Sequence, residues 1–546
     1  MNTRRSVIFW GAGATAELGI RPTEAQGRFL LRITDDKTDR DTAHRVARAL
    51  EPNTSHEWHA ALTDLLTILG DGNLAYQGIG NITDAQLTAM RRNWGENPND
   101  EELRKRVIDL RLLYDWPALK AVARLCPRTE TGTSRLNDLF NMLDMHIPFG
   151  SGFRAPVPSV EEDRDVYRFM EVRRLVGAKQ ALQMILTALF YIDYESCIAT
   201  KQDELRIYYE VALLLGQRMQ DHAVRLAQEH PLDHREFYQG DVTIVSLNYD
   251  PVALWVQFLA NRELNHSPAV PHLGCPAVPL QLFHDFGHLI PARRIGRADA
   301  TWPWYPLNEG AAQRLNEGAP ACAVRLTKFL LPHGCLCWRE CPDCGKLSAY
   351  HGDRWSLEAH GLFPPPPLRA FDRRPCPDWI PDRERREREE GKVDARQCLH
   401  CGTITYAHHT QTVMQSSFKP QPPSFIEEIQ RDLRASAMQA DHVILLGYSM
   451  PPDDVTYRAF FAARRQKTGD DAVRCTVVNF DKEHPGWYGP TDLKSITLHH
   501  TSPVHAAFEV FGRDNVRYYG GGVPNVFLEN GTPTAARLTK LLAWNA

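Results

Sequence analysis

The 546-residue chain lacks several features that would fix its class at once. It shows no run approaching the roughly 18 apolar residues that a membrane-spanning helix needs, so no membrane contact is expected. It lacks a charge excess: 63 Lys and Arg stand against 67 Asp and Glu, for a net charge of −4. Direct nucleic-acid binding, which leaves a basic footprint, is therefore not indicated. No sequence period of 20 to 50 residues recurs, which excludes a solenoid. His56-Glu57-Trp58-His59 is not a zincin motif, because that chemistry needs histidines four apart on one helix face and these are three apart. Arg4-Arg5 and Ala14-Thr15-Ala16 imitate a secretory signal, but the apolar run Val7 to Trp10 is too short for a signal core, and a cytoplasmic protein is expected. Twelve cysteines over this length do not make a secreted disulfide scaffold.

What is present begins at residue 6. A short apolar strand runs into Gly11-Ala12-Gly13 and a helix start near Thr15, a turn that lets backbone approach a phosphate group and aims amides and a helix dipole at it. Three further apolar runs end in polar residues: Val242 to Val245 before Ser246-Leu247-Asn248-Tyr249-Asp250, Leu326 to Leu330 before Leu331-Pro332-His333-Gly334, and Val443 to Leu446 before Gly447-Tyr448-Ser449. In an open parallel sheet, ligands bind at the carboxyl ends of the strands, so these loops converge on one crevice. The fold class expected is α/β, a Rossmann-like parallel sheet carrying a large helical insertion and a zinc-ribbon insertion. The Rossmann-like core is assigned to 1–30, 236–340 and 406–515, with a C-terminal segment at 516–546. Residues 31–235 read as the helical insertion, since Glu101 to Tyr114, Val176 to Tyr194 and Asp203 to Glu229 carry apolar residues at three-to-four spacing. Pro148 to Pro158 reads as a loop within it.

Eight of the cysteines crowd between Cys322 and Cys401. Cys341-Pro-Asp-Cys344-Gly and Cys398-Leu-His-Cys401-Gly are two knuckles whose four thiolates suit one tetrahedral structural zinc, and 341–405 is assigned to that ribbon. The 53 residues between the pairs read as a surface excursion, proline-rich at Pro364 to Pro367 and highly charged from Asp382 to Glu390. Cys335, Cys337, Cys376 and His400 are competing ligands, the first two favoured as buried thiols in a strand. His272, His284, Asp285 and His288 read as solvated or hydrogen-bonded groups in a loop-rich segment. Gly520-Gly521-Gly522 reads as a turn.

In order and residue type the four strand-end segments resemble the sirtuin family and its bacterial defence-associated relatives. Gly11 to Thr15 matches that family's Gly-Ala-Gly-x-Ser, Asn248 and Asp250 its Thr-Gln-Asn-Ile-Asp, His333-Gly334 its His-Gly, and Gly447 to Ser449 its Gly-Thr-Ser. The resemblance implies NAD as substrate and cleavage of its nicotinamide–ribose bond. Gly11, Ala12, Gly13 and Thr15 would hold the pyrophosphate, and Asp250 would accept from the nicotinamide carboxamide. Asn248 would orient the ribose hydroxyls or water, and His333, with an ordinary pKa of about 6.5, would act as general base. Gly447 and Ser449, with Asn479 after a strand taken as the last of the core, would bind the adenosine side. Two departures bear on the acceptor: Gly19-Ile20-Arg21-Pro22-Thr23 lacks the deacylase Asp-Phe-Arg, and Leu247 replaces a Gln. They favour water, hence an NAD hydrolase of antiphage defence acting by NAD depletion, over a protein-lysine deacylase or a non-catalytic nucleotide sensor. A homo-oligomer, or a complex with a defence partner such as an ATPase or nuclease, is the expected assembly.

Overall fold

The computed structural model describes residues 5–22, 25, 56–70, 79–93, 98–127, 136–158, 165–288, 292–293, 301–302, 312–313, 316–317, 321–350, 355–359, 362–363, 397–398, 401–405, 412–413, 416, 418, 421–451, 454–462 and 472–544. Cys376, His400 and the charged excursion lie outside them.

The chain enters a sheet at once with β1 (Ser6–Trp10), all five residues buried. The insertion follows, with helices α1 (His56–Leu69), α2 (Asp84–Asn93), α3 (Asp100–Leu113), α4 (Trp116–Leu125) and α5 (Leu136–His146), the antiparallel hairpin β2 (Phe153–Pro158) and β3 (Asp165–Met170), and the long helices α6 (Val172–Thr200) and α7 (Gln202–Glu229). Local chemistry sets the starts. Asn99 caps α3 by accepting from Glu102 N at 2.8 Å, and Asp100, Glu101 and Glu102 complement the dipole. Asp115 caps α4 by accepting from Ala118 N at 2.9 Å and takes a charge-assisted bond from Arg174 Nε of α6 at 2.7 Å. Beside it Gly177 lets α6 come close, since a Cβ there would lie 2.9 Å from Asp115 Cβ.

The sheet resumes with α8 (Arg235–Tyr238), β4 (Gln239–Ser246), α9 (Val252–Asn265), β5 (His272–Leu273) and β6 (Val278–Asp285). The two-residue ribbon β7 (Ala292–Arg293) with β8 (Thr301–Trp302) precedes β9 (Ala323–Leu330) and the hairpin β10 (Trp338–Glu340) with β11 (Leu347–Ala349). Then come α10 (Ser424–Gln439), β12 (His442–Leu446), α11 (Val455–Ala462), β13 (Arg474–Val478), β14 (Trp487–Tyr488), α12 (Pro503–Phe511) and β15 (Val516–Tyr519). The nine-stranded order is β14-β15-β13-β12-β1-β4-β9-β6-β5. From β15 through to β6 all neighbours are parallel, and only the two-residue edge strands β14 and β5 run antiparallel. The fold is α/β with a large, mostly parallel mixed sheet. Every residue of β1, β9 and β12 is buried, so neither face at the centre of the sheet is open to water. β1 has β4 on one side and β12 on the other, and the chain crosses β1 between β9 and β12, which makes the carboxyl end of β1 the topological switch point.

Several expectations are corrected. After β1 the chain makes two 3-10 turns, Ala12–Ala14 and Ala16–Leu18, ended by Gly19 at φ 78°, rather than an α-helix from Thr15. His284 and Asp285 end strand β6 rather than lying in a loop. Residues 153–158 form a strand because β3 pairs with them. Arg474 to Phe480 is not the last core strand and 516–546 is not outside the core, since β15 pairs β13 in parallel. Cys335 and Cys337 are buried but sit in turns, where Leu336 N donates to Tyr249 O at 3.0 Å. Finally, α6 is long and apolar enough to cross a membrane (mean hydropathy 1.4 over an 18-residue window), yet 72% of that window is buried inside the fold. Its apolar residues are those of a helix packed mostly inside the fold.

Candidate functional site

At the switch point two loops interlock through glycine. Gly11 N donates to Leu446 O and Gly13 N to Gly447 O, both at 2.9 Å. A Cβ would lie 2.6 Å from Gly447 O if placed at 11, 2.9 Å from it at 13, and 2.2 Å from Ala14 N if placed at 447, where φ is +59°. The glycines therefore let the β1 and β12 ends close on each other, and the Gly11 and Gly13 amides are taken up within the protein. Outward, this turn presents the half-buried Ala12 and the exposed Gly13. Tyr208 of α7 donates its hydroxyl to Ala14 O, pinning the turn to the insertion.

Three side chains converge beside it. Asn248 Nδ2 donates to Thr15 Oγ1 at 3.1 Å, which orients the Asn248 amide from the neighbouring strand end. His333 is 2% exposed, and its ring lies 6.2 Å from that of Tyr249 and 5.7 Å from that of Tyr457. Its Nδ1 is 3.3 Å from Leu247 O. A carbonyl only accepts, so in the neutral imidazole Nδ1 carries the proton and Nε2 keeps the lone pair. Asp250 is buried and accepts from Val252 N at 3.1 Å at the start of α9. Burial pushes its carboxyl up to about 6, opposed by that amide and Asn248.

Across the glycine crossing lie the remaining strand-end residues. Ser449 is exposed, and Tyr448 beside it donates to Asp454 Oδ2 at 2.6 Å. Met450 takes φ 49°, a left-handed conformation that a non-glycine residue adopts only when its surroundings hold it. Asn479, half-buried, ties the ends of β13 and β15 together: its N–H donates to Tyr519 O and its carbonyl accepts from Gly522 N, both at 3.1 Å.

A contact absent from the sequence reading joins the insertion to this crevice. Asp193 of α6, buried, accepts from Arg21 N at 3.0 Å and from Arg21 Nε at 2.9 Å, and pairs with Nη2 at 2.8 Å. The pair fixes the chain just after Gly19, and Asp193 also bears electrostatically on Asp250. Only the Arg at 21, odd among the small residues of the turn, signals it in sequence.

The second centre is the thiol cluster. Cys341 and Cys401 Sγ lie 3.8 Å apart, Cys344 and Cys398 Sγ 3.7 Å apart, and all four within 4.8 Å of one another. The two knuckles, 341–346 and 398–403, have the same turn geometry. Cys341 N donates to Lys346 O and Gly345 N to Cys341 O; Cys398 N donates to Thr403 O and Gly402 N to Cys398 O. Gly345 and Gly402 are left-handed, at φ 65° and 81°. Four thiolates 2.3 Å from a tetrahedral ion stand about 3.8 Å apart, so the cluster fits a structural zinc site.

A scan against protein-family models matches nothing, and a search of the curated proteins finds no match.

Of the other groups weighed in sequence, those among the described residues are held by internal contacts. Cys335 and Cys337 Sγ lie 3.2 Å apart, and Cys335 donates to Tyr249 O, which binds the β9 loop to the β4 loop. His284 is fully buried, held near pKa 3 by burial, and bonded to Asn261 through Nε2 at 3.3 Å. Asp285 pairs with Lys328 at 3.3 Å, His288 with Glu428 at 2.7 Å, and His272 Nδ1 meets its own chain at Val270 O. They form no common site.

Proposed function

We propose that this chain is a sirtuin-like NAD hydrolase that releases nicotinamide and ADP-ribose, and that it acts in antiphage defence by depleting NAD. The observation that carries the reading is the convergence of Asn248, Asp250 and His333 at the switch point of a parallel sheet, with the His333 lone pair on Nε2. In this mechanism His333 Nε2 takes the proton of water as its oxygen bonds to the ribose carbon that nicotinamide leaves. Asn248, oriented by Thr15, positions that water or the ribose hydroxyls. Asp250 accepts from the carboxamide and fixes the leaving ring. Ala12, Gly13 and Thr15 face the pyrophosphate, and Gly447, Ser449 and Asn479 the adenosine side. Cys341, Cys344, Cys398 and Cys401 hold a structural zinc. With four thiolates the ion has no open position for water, so its role is to fold the ribbon.

A deacylase is the second reading, favoured by the position of the thiol ribbon, whose first strand starts five residues after His333. The deciding experiment incubates the full chain with NAD, with and without an acetyl-lysine peptide, and resolves products by chromatography. Nicotinamide and ADP-ribose without peptide support the hydrolase. Peptide-dependent O-acetyl-ADP-ribose moves the assignment to deacylase. NAD binding without turnover, also when a defence partner such as an ATPase or nuclease is supplied, moves it to a sensor.

A further inference from the structure

Beyond Asn479, at the carboxyl ends of β13 and β15, lies a stretch to which the mechanism assigns no role. β15 ends in Gly520-Gly521-Gly522, and Gly522 has φ +88°. A Cβ at 522 would meet Glu17 Oε1 at 2.9 Å and Phe480 Cδ2 at 3.6 Å, so a carboxylate and an aromatic ring flank the place where a side chain is missing. Phe480 follows Asn479 directly, is 59% exposed and is held by a bridge to Gly521. An aromatic ring kept in water at a strand end covers no core. Glu17 lies two residues beyond Thr15, is exposed, and accepts no hydrogen bond among the described residues. Lys201, the cation acting on it, is committed to Glu204 at 2.7 Å.

We infer that Glu17 and Phe480 form the adenosine end of the nucleotide site proposed above, and that Glu17 restricts it to nucleotides with a free 2′-hydroxyl, NAD rather than NADP. The inference rests on the NAD reading. A carboxylate accepts from a ribose diol, whereas a 2′-phosphate in the same place meets a like charge. Phe480 offers a face on which adenine stacks, a contact indifferent to the 2′ position.

The test uses ligands that keep the adenosine end but have no scissile bond: ADP-ribose and its 2′-phosphorylated form, titrated calorimetrically into the full chain. The parent protein is expected to bind ADP-ribose at least about tenfold more tightly. Glu17→Gln brings the two affinities within about threefold, mainly by tightening the phosphorylated ligand. Phe480→Ala weakens both alike, by about tenfold. Both positions are exposed, and circular dichroism melts check that the variants fold. Equal affinities in the parent, an unchanged ratio in Glu17→Gln, or full affinity in Phe480→Ala overturns the inference while leaving the NAD reading in place. A parent that binds neither ligand overturns the nucleotide reading and the inference with it.

Discussion

The strand-end crevice and the thiol ribbon achieve order by opposite means. In the crevice, Asn248, Asp250 and His333 hang from strands whose every neighbour is another buried strand, and their geometry is a by-product of a large apolar sheet. In the ribbon, β10 and β11 are three residues each, too short to stand alone, and the shared feature of its two knuckles is four thiols turned to one point. The first region is organised by hydrophobic burial over long sequence distances; in the second, Trp338 and Leu347 anchor the hairpin in the core and short backbone turns bring four thiols together. The two should therefore fail separately.

The largest effect expected is on the ribbon. Cys398→Ser should remove the metal from the purified protein, one equivalent falling toward none, and forfeit binding free energy on the order of 10 kcal/mol that serves as local folding energy. Hydrogen exchange should show residues 338–349 losing protection while β1, β4 and β12 keep theirs. A variant that holds its zinc and an unchanged exchange pattern would show that the ribbon folds without the thiol cluster. The reverse experiment breaks the crevice. Asn248→Ala and His333→Ala should each cost about 10²-fold or more in NAD turnover with zinc content unchanged and the fold retained. Near-full turnover in His333→Ala sinks the site assignment.

A third measurement sharpens the contrast through pH. Asp250 ionises at about 6 in the fold against an ordinary 3.8, so between those values the folded state holds a proton that the unfolded chain releases. Its contribution to stability is present below pH 3.8 and is lost as pH rises to about 6, amounting to about 3 kcal/mol of destabilisation above that. Asp250→Asn should therefore be more stable than the parent in urea melts at pH 8, with the gain vanishing at pH 4. A pH-independent difference would place the cause elsewhere. The smallest change is Thr15→Val, which removes the oxygen that Asn248 Nδ2 donates to and should cost about 1 kcal/mol, seen as roughly a fivefold loss of turnover without loss of fold.

Much of this was legible in sequence, and the limits have physical causes. β1 and β12 stand out because both faces are buried and Val7 to Trp10 and Val443 to Leu446 are unbroken apolar runs, whereas β4 and β9 carry polar or charged residues (Thr243; Arg325, Thr327, Lys328) and are marked by the polar segments that follow them. β15 escaped because Val516-Arg517-Tyr518-Tyr519 carries a charge into the core. Arg517 is accommodated by carbonyls of Lys540, Leu541 and Trp544 that no local pattern announces. β6 was mistaken for loop for the same reason: His284 and Asp285 are satisfied by Asn261 and Lys328, each far off in sequence. The Arg21–Asp193 pair spans 172 residues. The glycines at 11 and 13 mark a close backbone approach in sequence, but sequence does not tell approach to an anion from approach to Gly447.

One pairing governs what evolution and engineering can do with the ribbon. Gly334 bridges Thr412, Val413 N donates to His333 O at 2.9 Å, and Tyr249 donates to Val413 O at 3.1 Å, so the chain leaves and re-enters at the same histidine. Everything from 335 to 411 is thus a closed ring in the polymer sense, cinched again at the thiols. The entropy of closing a ring grows only as the logarithm of its contour, about 0.6 kcal/mol for each doubling. The contour between the knuckles can accordingly change by several residues at little cost to the closure at His333, provided that the buried Leu347, Ala359, Leu362 and Phe363 within it are kept.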